Sequence, residues 1–124
     1  MIIFDSGSLL CSTSLEYYID NYFTINIGLS VEDFSGKRNF CISLENLNLF
    51  IDQSEEILKM LNGTIVFEDY DSDSCLSFTV TKSCLSIFGT FISPSEDLKF
   101  EFLFQSDQTF LNNFVSFLKN IKEI

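Results

Sequence analysis

Four acids surround one tyrosine in Phe67-Glu68-Asp69-Tyr70-Asp71-Ser72-Asp73-Ser74, and the segment lies between runs of alternating apolar residues. Carboxylates at every second position suit a hard cation, so metal binding is the first chemistry to test. Asp69, Asp71 and Asp73 would take the first, third and fifth places of an EF-hand loop. Such a loop then needs glycine at the sixth place, where this chain has Ser74, and a bidentate glutamate at the twelfth, where it has Val80. Both requirements fail, and the flanks alternate like strands where an EF-hand has helices. Neither a metal nor a cofactor is therefore expected. What remains is a charged turn or a partner-binding surface, because carboxylates crowded at a hairpin tip repel one another unless water or a cationic partner relieves them.

Other chemistry is pruned by what the chain lacks. It contains no histidine, which removes Ser-His-Asp and Cys-His catalysis and a histidine general base. Neither G-x-x-x-x-G-K-[ST] nor G-x-G-x-x-G occurs. With 18 acids present, a pair of catalytic carboxylates cannot be singled out from sequence. The chain is expected not to be an enzyme. Cys11, Cys41, Cys75 and Cys84 lack paired metal-ligand spacing and are expected as small buried strand residues.

The 124 residues suffice for a single domain, 1–124, with one real core. A hydrophobic fraction of 46% with 15 phenylalanines places the net charge of −11 on a folded body rather than a disordered one. That charge repels nucleic acid and anionic membranes and attracts basic proteins. The first residues, Met1-Ile2-Ile3-Phe4-Asp5, carry no basic region, and no stretch approaches the roughly 18 apolar residues of a membrane span. A cytoplasmic protein is expected.

Periodicity supplies the elements that must hold the acidic segment. Residues 24–31 alternate apolar and small or polar side chains as a half-buried strand does. Shorter runs at Ile2–Phe4, Ser8–Cys11 and Leu15–Ile19 add strands before it. Asp33–Arg38 reads as a turn, and Asn39–Ile42 as a brief strand. Ser43 then caps a central helix over about 44–61, with Leu44, Leu47, Ile51, Leu58 and Leu61 forming its stripe. Ser54 interrupts that stripe, either at the helix edge or as the start of a second short helix, and Gly63 is expected to supply the left-handed turn that ends the helix. Strand-like runs follow at Thr64–Asp69, Cys75–Thr81, Cys84–Ile92 and Leu98–Phe104, joined closely enough for a meander. A C-terminal helix over about 108–122, capped by Ser106 or Asp107, carries Phe110, Leu111, Phe114, Phe117, Leu118 and Ile121 on one face. The fold class is α+β: a mainly antiparallel curved sheet of about six to eight strands with both helices packed on it.

Residues 62–74, Asn-Gly-Thr-Ile-Val-Phe-Glu-Asp-Tyr-Asp-Ser-Asp-Ser, together with Leu98-Lys99-Phe100-Glu101-Phe102 and Ser106-Asp107-Gln108-Thr109-Phe110-Leu111, resemble a family of small bacterial immunity proteins. These are similar to the immunity proteins of WapA-type contact-dependent toxins. The resemblance runs over about residues 22–121 and departs from the pattern at Ser83–Gly89, where an earlier second glycine is expected. It implies an inhibitor that blocks a cognate toxin domain without catalysis, and a basic nuclease domain would suit the charge. Glu68, Asp69, Tyr70, Asp71 and Asp73 are the candidate contact residues, with Tyr70 as aromatic anchor. The competing reading makes the segment a solvated turn in which Asp69 or Asp107 bonds backbone amides. An acidic adaptor or nucleic-acid mimic is the alternative function. A toxin domain is the expected partner, with no direct nucleic-acid or membrane binding, and the chain is expected as a monomer or weak homodimer.

Overall fold

The computed structural model describes residues 1–82 and 84–123. Ser83, part of the stretch where the resemblance departs from its pattern, lies outside the described residues. Two antiparallel meanders of four strands each are joined by a helix, and a second helix closes the chain. The first sheet runs β1 (Ile2–Asp5), β2 (Leu9–Ile19), β3 (Tyr22–Val31) and β4 (Phe34–Ser43) in spatial order. After α1 (Leu44–Met60), the second sheet runs β5 (Asn62–Glu68), β6 (Cys75–Thr81), β7 (Cys84–Ile92) and β8 (Lys99–Ser106), followed by α2 (Gln108–Ile121). The α+β class and both expected helices are thus present, with the strands divided between two sheets.

Period-two patterning decides which face of each strand is inside. Phe23, Ile25, Ile27 and Leu29 of β3 are buried, as are Leu76, Phe78 and Val80 of β6. Phenylalanine rings connect these faces. Phe50 of α1 lies 5.1 Å from Phe67 and 5.8 Å from Phe114, and Phe110 of α2 lies 5.2 Å from Phe4 of β1. Phe40 of β4 meets Phe67 of β5 at 5.5 Å and Phe91 of β7 at 5.7 Å, so β4 is where the sheets come together. Each fully buried ring contributes about 1.5–3 kcal/mol of transfer free energy, and each aromatic pair adds about 0.5–1.5 kcal/mol. Across the helices, Lys119 pairs with Glu55 at 2.5 Å.

Several boundaries differ from the sequence reading for identifiable reasons. β2 is one strand across Ser12, Thr13 and Ser14, because those residues alternate between the polar outer face and the core, with a bulge between Leu15 and Tyr17. Asp33–Arg38 belongs mostly to β4, and only Glu32-Asp33 turns the chain, with Glu32 left-handed at φ 55°. The solvent-facing half of β4 is polar, which makes it read as a turn. Ser54 is neither a helix edge nor a new start: it is fully buried on the same face of a continuous α1 as Leu47, Phe50 and Ile51, whereas Leu61 is exposed. The left-handed residue after α1 is Leu61, at φ 57°, while Gly63 sits inside β5 at φ 143° with Ile57 against it. Among the cysteines, all of which lie in strands, only Cys11 is fully buried and Cys84 is exposed.

Gly89 of β7 pairs directly with Phe102 of β8, whose ring covers the glycine so closely that an added Cβ would lie 2.1 Å from it. Phe102 is held in place by Phe91 at 5.2 Å and Phe100 at 5.2 Å. Gly89→Ala is therefore expected to lower stability by about 1–3 kcal/mol through overpacking. Urea unfolding should show a smaller cost for the same change in a Phe102→Ala background, since the two sites are coupled.

Candidate partner-binding site

The five residues singled out from sequence divide between inside and outside. Asp69 follows β5 directly, where the period-two pattern turns its side chain inward, and it is 6% exposed. Its Oδ1 accepts the backbone N–H of Cys41 in β4 at 2.8 Å and that of Asp71 at 3.3 Å. Its Oδ2 accepts the Ser72 hydroxyl at 2.6 Å and lies 3.7 Å from Nη2 of Arg38. One residue on, the Tyr70 N–H donates to the Cys41 carbonyl at 2.8 Å. Cys41 is thus gripped through both backbone groups, and the loop stands where another strand would add to β4.

The far end of the loop is closed with equal economy. Asp69 N–H donates to the Ser74 carbonyl at 3.1 Å, and Ser74 N–H donates to the Ser72 hydroxyl at 3.1 Å. The buried Ser74 hydroxyl accepts from the Ile92 N–H of β7 at 2.9 Å. Small oxygen side chains in turns commonly bond to nearby amides in this way. The competing reading of the segment holds for Asp69 in this respect. It also holds for Asp107, which caps α2 by accepting the Thr109 N–H at 2.8 Å.

The remaining members point outward. Glu68, Asp71 and Asp73 are exposed, and Tyr70 is 68% exposed. The Tyr70 ring meets Tyr22 of β3 edge-on, with centroids 5.4 Å apart. Tyr22 escaped the sequence reading, although the confinement of the chain's tyrosines to positions 17, 18, 22 and 70 was a usable signal. The neighbouring Tyr70 phenol first, then desolvation, and last Cys41 and the Asp71 carboxylate push the Tyr22 phenol above its ordinary range. Cys41, beneath the loop, is likewise pushed up by burial first and by Asp71 and Asp69 next. Burial raises Cys11 to about 12, so these thiols stay protonated at neutral pH, the reverse of an activated nucleophile.

The chemistry available here is that of contact: one anchored ring, a second ring beside it and several solvated carboxylates on a braced loop. The class that the structure defines is an α+β domain of two four-stranded meanders and two helices, with an acidic, tyrosine-bearing loop at its surface. More particularly, the family model described as "Immunity protein WapI-like family" matches residues 6–123, and the chain belongs to that family. The match extends beyond the 22–121 span recognisable in the sequence. Neither the comparison with curated proteins nor the comparison with solved structures gave a match. No helix among the described residues is long and apolar enough to cross a membrane.

Removing the brace should be costly. Asp69→Ala leaves the Cys41 amide without its acceptor and Arg38 without its counter-charge, and is expected to destabilise the fold by about 2–4 kcal/mol, measured by urea unfolding. A spectroscopic titration tests the ring pair. Folded Tyr22 holds its proton more tightly than an unfolded tyrosine, so its contribution to stability is complete below the ordinary tyrosine range and is lost as pH rises through the raised value. In Tyr70→Phe, phenolate absorbance should lose its highest-pH phase, because the largest cause of the shift is gone.

Proposed function

We propose that this chain binds and neutralises a cognate bacterial toxin domain in the cytoplasm by blocking it without catalysis. Membership of an immunity-protein family supports toxin neutralisation. The observation that carries the finer reading is the Asp69-braced loop, which presents Tyr70 with Glu68, Asp71 and Asp73 exposed around it. Asp69 acts from within, fixing the loop against β4. A net charge of −11 favours a basic toxin surface, such as the substrate groove of a nuclease, and an acidic loop seated there would occupy the place of substrate phosphates. The chain acts as a monomer or weak homodimer in this reading and does not touch nucleic acid itself.

Co-expression with a WapA-type toxin domain tests the proposal. Cells should survive, and the two proteins should co-purify at physiological salt. Asp71→Lys with Asp73→Lys should weaken binding by about tenfold or more, which is about 1.4 kcal/mol, and should flatten its salt dependence. Absence of protection and of a complex overturns the reading. Equal binding to unrelated basic proteins also overturns it, in favour of a general acidic mimic.

A further inference from the structure

The tyrosines mark a surface larger than the acidic loop. Cross-strand pairing sets Tyr17 opposite Thr24 and Ile19 opposite Tyr22, so Tyr17, Ile19 and Tyr22 share the outward face of the first sheet. Their exposures are 63%, 65% and 36%, and Tyr22 is the residue that touches Tyr70. Large apolar side chains left this open, and contiguous, are characteristic of interaction sites. Residues 14–24 and 68–74 contain no lysine or arginine but include the exposed acids Glu16, Asp20 and Asp71.

The hairpin tip is also held rigidly. Asp20 and Asn21 are both left-handed, at φ 52° and 65°, as a two-residue primed turn requires. The Asn21 carbonyl accepts the Leu44 N–H at the start of α1 at 2.7 Å. The Tyr18 hydroxyl donates to Asn21 Oδ1 at 2.9 Å, and its ring lies 4.6 Å from Phe23. Rings on a pre-ordered tip lose little conformational entropy when a partner covers them.

We propose that the β2–β3 hairpin tip is the second half of the toxin-binding surface, where Tyr17 and Tyr22 join Tyr70 in stacking on arginines of a basic toxin domain. This rests on the function proposed above. Arginine fits because a planar guanidinium stacks on an aromatic face while still donating to carboxylates such as Asp20 and Asp71. Nucleic acid and anionic membranes are repelled by those acids, and a second copy would bring another −11 charge against the same face.

Calorimetry with the toxin domain that the chain protects against in co-expression separates the outcomes. Tyr17→Ala with Tyr22→Ala should weaken binding by about tenfold or more, whereas the corresponding Phe pair, which keeps both rings, should stay within about threefold of wild type. Asp20→Asn, which tolerates the left-handed turn, should slow association and reduce its salt dependence. Thermal unfolding of each variant monitors the fold. Wild-type affinity in the folded Ala pair, alongside weakened binding in the Asp71 and Asp73 reversal, overturns the hairpin surface and leaves the loop reading standing. Failure of the wild-type chain to bind overturns both. Loss of self-association alone in the Ala pair, with toxin affinity unchanged, assigns the face to a homodimer and overturns the proposal.

Discussion

One carboxylate joins the two sheets at the point where an otherwise open edge would face solvent. Asp69 leaves the end of β5 and reaches the Cys41 amide of β4, while Tyr70 returns the bond to the Cys41 carbonyl. Burying a carboxylate costs several kcal/mol, which only good geometry and several donors offset. Two amides and a hydroxyl supply them, and Arg38, the chain's sole arginine, stands beside Oδ2. The result fixes the loop to the edge of the first sheet, and through Ser74 and Ile92 to the third strand of the second. Everything outward on that loop depends on this inward commitment.

The aromatic residues obey a matching division. Rings that pack between the sheets and helices are phenylalanines, including Phe40, Phe67, Phe78, Phe110 and Phe114, none more than 1% exposed. Tyrosines lie at the surface, where the hydroxyl meets water or a partner without an internal acceptor having to be built for it. A core made mainly of hydrocarbon rings needs few internal hydrogen bonds, and the Asp69 loop carries several of them. Asp69 apart, the carboxylates are left to the outside, where solvent screens their self-repulsion.

Long periodic segments were legible in the sequence because the pattern reports burial directly. The stripe of α2, the cap at Ser43, the α2 cap to within Ser106 or Asp107, and the alternation in β3 and in the four strands of the second sheet all follow from side-chain type and spacing. β4 was obscured because its outer half is solvated and its composition matches a turn. Ser54 misled because a small hydroxyl fully buried on the inner face of α1 looks polar in sequence. The site was half legible. The acidic segment announced itself, but its partner Cys41 lies 28 residues earlier and contributes only backbone, which no side-chain pattern records. Tyr22 was missed because its meeting with Tyr70 is tertiary: Tyr22 lies in β3 of the first sheet and Tyr70 in the loop between β5 and β6 of the second.

The hydrogen bonds that shape the loop come from backbone groups and from Asp69, Ser72 and Ser74. The side chains of Glu68, Tyr70, Asp71 and Asp73 contribute none of them, so the surface can change while the brace persists. That separation recasts the acidic segment as two interleaved patterns. The side chains of residues 69, 72 and 74 are committed to holding the loop, while those of residues 68, 70, 71 and 73 are left exposed. The hairpin repeats the arrangement: Asn21 and Tyr18 secure the turn, leaving Tyr17, Ile19 and Tyr22 to face outward. A rigid scaffold with substitutable tips is the physical basis on which one fold can discriminate among similar partners.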